Sequence, residues 1–244
     1  MNKTFIFDLD DTLIYTHFLY SRAKADLARL VDSRFGYVAP DVLAILRLHE
    51  EVDLRLTKEM GFSRERFPTS LSEAYTRISE MMGEPERERK QNAQEAYNLG
   101  KTVFDKGRWL PSLVPGALET LDFLTRQRDE LAIVTIGEEF TQNEKVKFYE
   151  LNRWFGDRVY IVPNHKKERI KELAEDRDPK RVWFAGNSAR SDILPALEVG
   201  IGALYVPRET WAHDQCDLKG VDTSRLITLK SIKEIPEIYS TKLS

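Results

Sequence analysis

The sequence predicts an α/β fold: a doubly wound, mostly parallel sheet with an all-helical domain inserted after its first strand. Three observations carry this. Five short runs are apolar throughout rather than alternating, the pattern of strands buried on both faces. Helical patterns alternate with the later runs, the signature of strand–helix–strand units. The stretch between the first two runs has no convincing strand and is too long for a crossover loop.

The runs are Phe5–Phe7, Leu131–Val134, Val159–Val162, Val182–Ala185 and Ile201–Val206, each bounded by polar or turn residues. Between them, Ala117, Leu121 and Leu124 fall at helical spacing, as do Ile170, Leu173 and Ala174. Ile193, Ala196 and Leu197 repeat the pattern, with Pro195 in the first turn and Gly200 just past the end. In the insert, Val42, Ile45, Val52, Leu56 and Met60 trace one helical face, and Leu71, Ala74, Tyr75 and Ile78 another. A third helix is expected from Pro85 to Lys106, and Pro111, Pro115 and Gly116 mark the return to the sheet. The expected division is therefore residues 1–15 with 114–244 as the α/β domain, and 16–113 as the helical one.

The chain has 244 residues, 32% charged and 41% hydrophobic, with a net charge of −3. This balance suits a water-soluble globule with a sizeable core, and speaks against nucleic acid or an anionic membrane as partner. No apolar run reaches the ~20 residues that span a bilayer, and the N-terminal residues run straight into a strand without a secretion signal. A cytoplasmic location is the expectation. The one cysteine, Cys216, builds no disulfide framework and is expected to be a partly buried small side chain.

The chemistry begins where the first apolar run ends. Asp8, Asp10 and Asp11 place three carboxylates within four residues of a buried strand, followed by Thr12. Asp also closes turns and caps helices, so position decides. Ligands of open parallel sheets bind beyond the carboxyl ends of the strands, and polar groups gather at those ends here. Thr135 and Gly137 end the second strand, Lys166 and Lys167 follow the third, and Asn187 and Asp192 follow the fourth. Carboxylates, a hydroxyl, an amine and a carboxamide together suit a hard cation and a phosphoryl group.

At these residues the chain resembles the haloacid dehalogenase superfamily, over about Lys3 to Val206. Asp8, Asp10 and Thr12 match its DxDxT motif, Thr135 its strand-end hydroxyl and Lys166 or Lys167 its lysine. Gly186, Asn187 and Asp192 match GDxxxxD, with Asn in place of the first Asp. Lys166 is preferred because it stands four before Ile170, the first core position of the next helix. The helical insert looks like that family's type 1 cap on a Rossmann-like core.

The resemblance implies a magnesium-dependent phosphatase acting on a small phosphorylated metabolite. Asp8 would be the nucleophile and form an aspartyl-phosphate. Asp10 would be the general acid/base, Thr135 a donor to a phosphoryl oxygen, and Lys166 a cation beside them. Magnesium would take Asp8, the backbone carbonyl of Asp10, and Asn187 or Asp192, with the direct ligand open between the last two. Asn offers an oxygen without charge, so the site leans on Asp8 and Asp192. The insert is expected to open and close over the site, hinged near Tyr15–His17 and Leu113–Gly116. Three other readings stay open. A haloacid dehalogenase would need neither metal nor an acid at position 10, a phosphomutase would keep Asp10, and a vestigial phosphate- or partner-binding module would do no chemistry. Neither the substrate nor the oligomeric state is written in the sequence.

The remaining polar residues have plainer readings. Asp11 closes a turn; His17 is a surface residue near the start of the insert; His49 is a hydrogen-bonded packing residue. His165 has no companion at metal spacing, and His213 helps dock the segment after the sheet. Arg190 is divided between the surface and an anionic substrate. Gly200 and Gly202 lack the rest of a dinucleotide fingerprint, and no GxxxxGK[ST] loop is present.

Overall fold

The computed structural model describes residues 2–109, 112–208 and 211–243. Pro111, one of the residues expected to mark the return to the sheet, lies outside them. The chain divides into two compact units, Met1–His17 with Pro111–Ser244, and Phe18–Leu110.

The first unit is built on a parallel sheet of six strands among the described residues, in the order β3-β2-β1-β4-β5-β6. The strands are β1 Thr4–Phe7, β2 Glu130–Ile136, β3 Val159–Val162, β4 Val182–Gly186, β5 Gly202–Tyr205 and β6 Leu226–Thr228. Every pairing is parallel, with Phe7 opposite Ile133 on one side and Ala185 on the other. The five expected strands are all present. The sixth, Leu-Ile-Thr, is too short to register as an apolar run.

Alternation of side chains sorts the strands onto two faces. Phe5, Phe7, Leu131, Ile133 and Trp183 pack on one side with Ala117, Leu121, Leu124, Phe155 and Ile235. Ile6, Val134, Phe184 and Ala203 pack on the other with Ile170, Ala174, Ala196 and Leu197. One correction concerns β3, which is half-buried along its length rather than buried on both faces. It is an edge strand, so only one neighbour covers it.

The second unit carries four long helices. These are α1 His17–Phe35 (which begins one residue before the unit), α2 Val42–Met60, α3 Arg66–Met81 and α4 Glu86–Lys101. Among the described residues none is long and apolar enough to cross a membrane. The predicted faces are buried at Ile45, Val52 and Leu56, and at Leu71, Ala74, Tyr75 and Ile78. Val42 and Met60, at the two ends of α2, are exposed instead. Asp41 starts α2 by accepting from the Ala44 amide at 2.9 Å, and Gly61 ends it. The helix expected over 85–106 stops at Lys101 and tightens into a 3₁₀ turn at Thr102–Phe104. Helix α1 was not among the expected elements, because its buried Leu19, Ala23, Leu27 and Val31 alternate with charged residues of both signs.

The later helices belong to the first unit. They are α5 Ala117–Arg126, α6 Glu139–Phe148, α7 Asn152–Phe155, α8 Lys167–Ala174, α9 Leu194–Val199 and α10 Glu234–Ile238. Ile193, expected on α9, lies in the π turn Ala189–Ile193 that precedes it.

Candidate active site

The sheet order places β1 at its centre, between β2 and β4, where the direction of strand addition reverses. Ligand-binding crevices of open parallel sheets form at such a switch point. Asp8 follows β1 directly, and its amide still pairs with the Ala185 carbonyl of β4 at 2.9 Å. Thr135 lies near the end of β2, Lys166 caps the start of α8, and Asn187 follows β4. A parallel sheet sends all of these ends to one edge.

The backbone after Asp8 folds tightly. The amides of Leu13 and Ile14 donate to the Leu9 carbonyl, and the Asp11 amide donates to Ile14. Asp11 sits in the left-handed region, φ 60°, which Asp tolerates better than most residues. Its carboxylate accepts from the Thr16 and His17 amides, both at 2.9 Å, and from the Thr16 hydroxyl at 3.1 Å. Asp11 thus closes the turn and caps the start of α1, as its position suggested, which leaves Asp8 and Asp10 for chemistry.

Lys166 joins Asp8 to Asp192. Its ammonium lies 2.5 Å from Asp8 Oδ1 and 2.6 Å from Asp192 Oδ1. All three are buried, with Asp192 only 1% exposed. Lys167 points elsewhere and pairs with Glu198 at 2.9 Å on the surface. Asp192 Oδ2 also accepts from the Ser188 amide at 2.9 Å, across a π turn in which the Ile193 amide reaches back to the Ser188 carbonyl. Such single π turns concentrate at functional sites. Gly186 makes room for this carboxylate: a β-carbon there would fall 2.5 Å from Asp192 Cβ. The Asn187 carboxamide oxygen accepts from the Thr12 hydroxyl at 3.2 Å, joining the first and fourth sequence motifs.

The electrostatics of this cluster follow from counting charges. Burial pushes the Asp8 carboxyl well above the usual carboxylate range, against the pull of the Lys166 ammonium and with the Asp192 carboxylate adding to the rise. Lys166 moves upward as well: burial acts to lower it, but the two carboxylates outweigh that. One cation thus sits between two buried carboxyl groups, and with both of them ionised the cluster would be one positive charge short.

Asp10 is held separately, by residues that the sequence reading did not single out. Lys145 Nζ lies 2.8 Å from each of its carboxylate oxygens, and Gln142 Nε2 lies 2.9 Å from Oδ2. Gln142 also donates to Thr135 Oγ1 at 2.8 Å and to the Ile136 carbonyl at 3.1 Å. Both residues lie on the buried face of α6. Gly137, at φ 152°, lets Gln142 lie against the strand end; a β-carbon there would sit 3.0 Å from Gln142 Cγ. A search for apolar periodicity passes over α6 because its inward face is polar. The available signal was Gln142 and Lys145 spaced i, i+3 directly after the strand that carries Thr135.

A hard divalent cation would need oxygen ligands at this edge. Among the described residues no three His, Cys, Asp or Glu side chains cluster as a ready ligand set. The side chains at this edge offer two carboxylates, Asp8 and Asp192, and the Asn187 carboxamide. Hard oxygen donors, one positive charge short when both acids are ionised, fit a magnesium-like ion. Of the other polar residues, His49 is buried against Ser70 Oγ at 2.9 Å, whereas His165 is exposed. His213 leans on Trp211, and Arg190 donates to the Gln215 carbonyl at 3.1 Å. Cys216 is partly buried.

Comparison with known proteins gives the site its lineage. A family model described as haloacid dehalogenase-like hydrolase matches residues 2–200. No curated protein matches by sequence. Among solved structures, a haloacid dehalogenase-like family hydrolase from Xanthomonas campestris shares 22% identity at TM-score 0.74, covering 98% of this chain and 91% of its own. A 2-haloacid dehalogenase from Pseudomonas syringae pv. Tomato shares 20% at 0.55, covering 98% and 99%. YfnB from Bacillus subtilis, bound to magnesium, shares 15% at 0.61, covering 97% and 98%. These likenesses speak to the fold, and the family match spans β1 to β4, the inserted helices and all four motifs. The chain belongs to the haloacid dehalogenase-like hydrolases.

Proposed function

We propose that this hydrolase is a magnesium-dependent phosphatase acting on a small phosphorylated metabolite, through an aspartyl-phosphate on Asp8. The observation that carries the reading is the buried cluster of Asp8, Asp192 and Lys166, in which one ammonium faces two carboxyl groups. Displacing halide from carbon asks for no metal cation and no proton donor at position 10. Phosphoryl transfer asks for both, because its barrier is largely one of charge and position.

The chain's residues divide the work as follows. Asp8 attacks phosphorus; an O–P bond forms and the ester P–O bond breaks. Asp10, in its acid form, gives the departing oxygen its proton. Lys166 keeps the Asp8 carboxylate oriented and offsets charge. Thr135 donates to a phosphoryl oxygen while Gln142 fixes its hydroxyl. Water then attacks the aspartyl-phosphate, yields its proton to Asp10, and frees phosphate and Asp8. Asp8, Asp192, Asn187 and the Asp10 carbonyl would hold magnesium, whose chemistry here is Lewis-acid neutralisation of the transferring group. The helical unit, inserted directly after the motif that carries Asp8, would be the selecting cap.

The test is phosphate release from p-nitrophenyl phosphate and a panel of phosphorylated metabolites, with halide release from 2-haloacids as control. Turnover should require magnesium, vanish with chelator, and fall on the order of 10⁴-fold in Asp8→Asn. Metal-independent halide release, or phosphate release that survives Asp8→Asn, sinks the proposal.

A further inference from the structure

We infer that Lys145 and Gln142 form a two-armed clamp that positions Asp10 for both of its proton transfers. The inference rests on the phosphatase reading and goes beyond it to two residues outside the four sequence motifs.

The geometry is specific. Lys145 is 7% exposed, and its ammonium is equidistant, at 2.8 Å, from the two Asp10 oxygens. Burying a lysine costs free energy that a surface pair does not recover. A general structural role would be filled more cheaply by an apolar side chain at this inward-facing position of α6. Gln142, 2% exposed, closes the other arm. Its one nitrogen reaches Asp10 Oδ2 and Thr135 Oγ1. One carboxamide therefore ties the proton carrier to the hydroxyl at the end of β2. Asp8, Asp11 and Tyr149 are the other titratable groups that feel the Asp10 charge. Among the contacts described, only Lys145 and Gln142 hold its carboxylate by hydrogen bonds. A carboxyl that must hand a proton to one oxygen and take one from another needs a fixed location, since an ångström of drift costs about 100-fold in rate.

The two half-reactions separate this role from a structural one. A nitrophenolate departs without a proton, so the first half tolerates a displaced Asp10; attack by water does not. Lys145→Met should therefore show a burst of p-nitrophenolate equal to the enzyme concentration, then turnover reduced 10- to 100-fold, with KM falling in step and kcat/KM for this substrate nearly unchanged. Alkyl phosphates should lose turnover with no burst. The decisive measurement is the cycle with Asp10→Asn. A positioning residue acts through Asp10, so adding Lys145→Met to Asp10→Asn should cost less than twofold more. Lys145→Leu supplies a second variant should Lys145→Met fold poorly, and it should be equally silent on the Asp10→Asn background; Gln142→Met, which also frees the Thr135 hydroxyl, should lose only part of its effect there. Losses that multiply in the Lys145 double variants, or absence of the burst, overturn the clamp while leaving the phosphatase standing. A wild-type chain without magnesium-dependent phosphate release overturns both.

Discussion

Lys166 and Lys167 are neighbours in sequence with opposite fates. The first is enclosed between Asp8 and Asp192, the second lies on the surface beside Glu198. Removing the cation from a buried pair leaves uncompensated charge and costs about 3–5 kcal/mol, whereas an exposed pair contributes about 0–1 kcal/mol. Lys166→Met should lower the urea midpoint accordingly in metal-free protein, while Lys167→Met should leave it almost unmoved. Equal effects would mean that the buried cluster is not what organises this edge. Asp8, Thr135 and Asp192 were legible in the sequence because acids and hydroxyls at strand ends break an apolar pattern. The lysine was legible only to within one position, since spacing to Ile170 does not measure burial. Lys145 and Gln142 were hidden, because a lysine and a glutamine on a helix read as solvent-facing until the partner across the sheet is known.

At the scale of elements, the site depends on glycine at one strand end. Gly186 ends β4 where Asp192 folds back against it, and any side chain there meets the base of Asp192, not merely its flexible tip. Gly186→Ala should displace that carboxylate, lowering turnover roughly 100-fold and weakening magnesium binding about tenfold, with titration calorimetry and kinetics as the readouts. Unaltered magnesium affinity would show that Asp192 does not serve the metal. The sheet's five longer strands were legible because their apolar runs are continuous. What escaped has physical causes: β6 is three residues long, β3 is open at the edge, and the π turn before α9 carries no signature in its residue types. Helix α1 escaped because its buried stripe is narrow and interrupted by charge.

At the scale of the molecule, the helical unit carries a response to pH of its own. The helical unit encloses His49, held by Ser70 and pushed down to about 4 by burial, from an ordinary value of 6.5. Asp53 acts to raise it, and Lys24 and Arg66 to lower it. The unfolded chain therefore binds a proton between pH 6.5 and 4 that the folded chain refuses, so stability falls as pH falls through that window. The difference amounts to about 3 kcal/mol. Urea unfolding of wild type and His49→Gln, compared at pH 7 and pH 4, should show the substitution becoming relatively more favourable in acid by about that amount. A constant difference between the two proteins would rule this out.

The placement of β1 has a consequence for how the chain reaches this state. It is the central strand, yet its neighbours on both sides lie beyond the helical unit, and even Lys3 must wait for Asp129, 126 positions later, to satisfy its amide. On a ribosome adding 5–20 residues per second, that gap is on the order of ten seconds. During it, Phe5, Ile6 and Phe7 have open edges on both flanks, while the intervening helices can close on local contacts alone. The segment that delivers the reactive carboxylate is thus also the stretch most in need of shelter during synthesis.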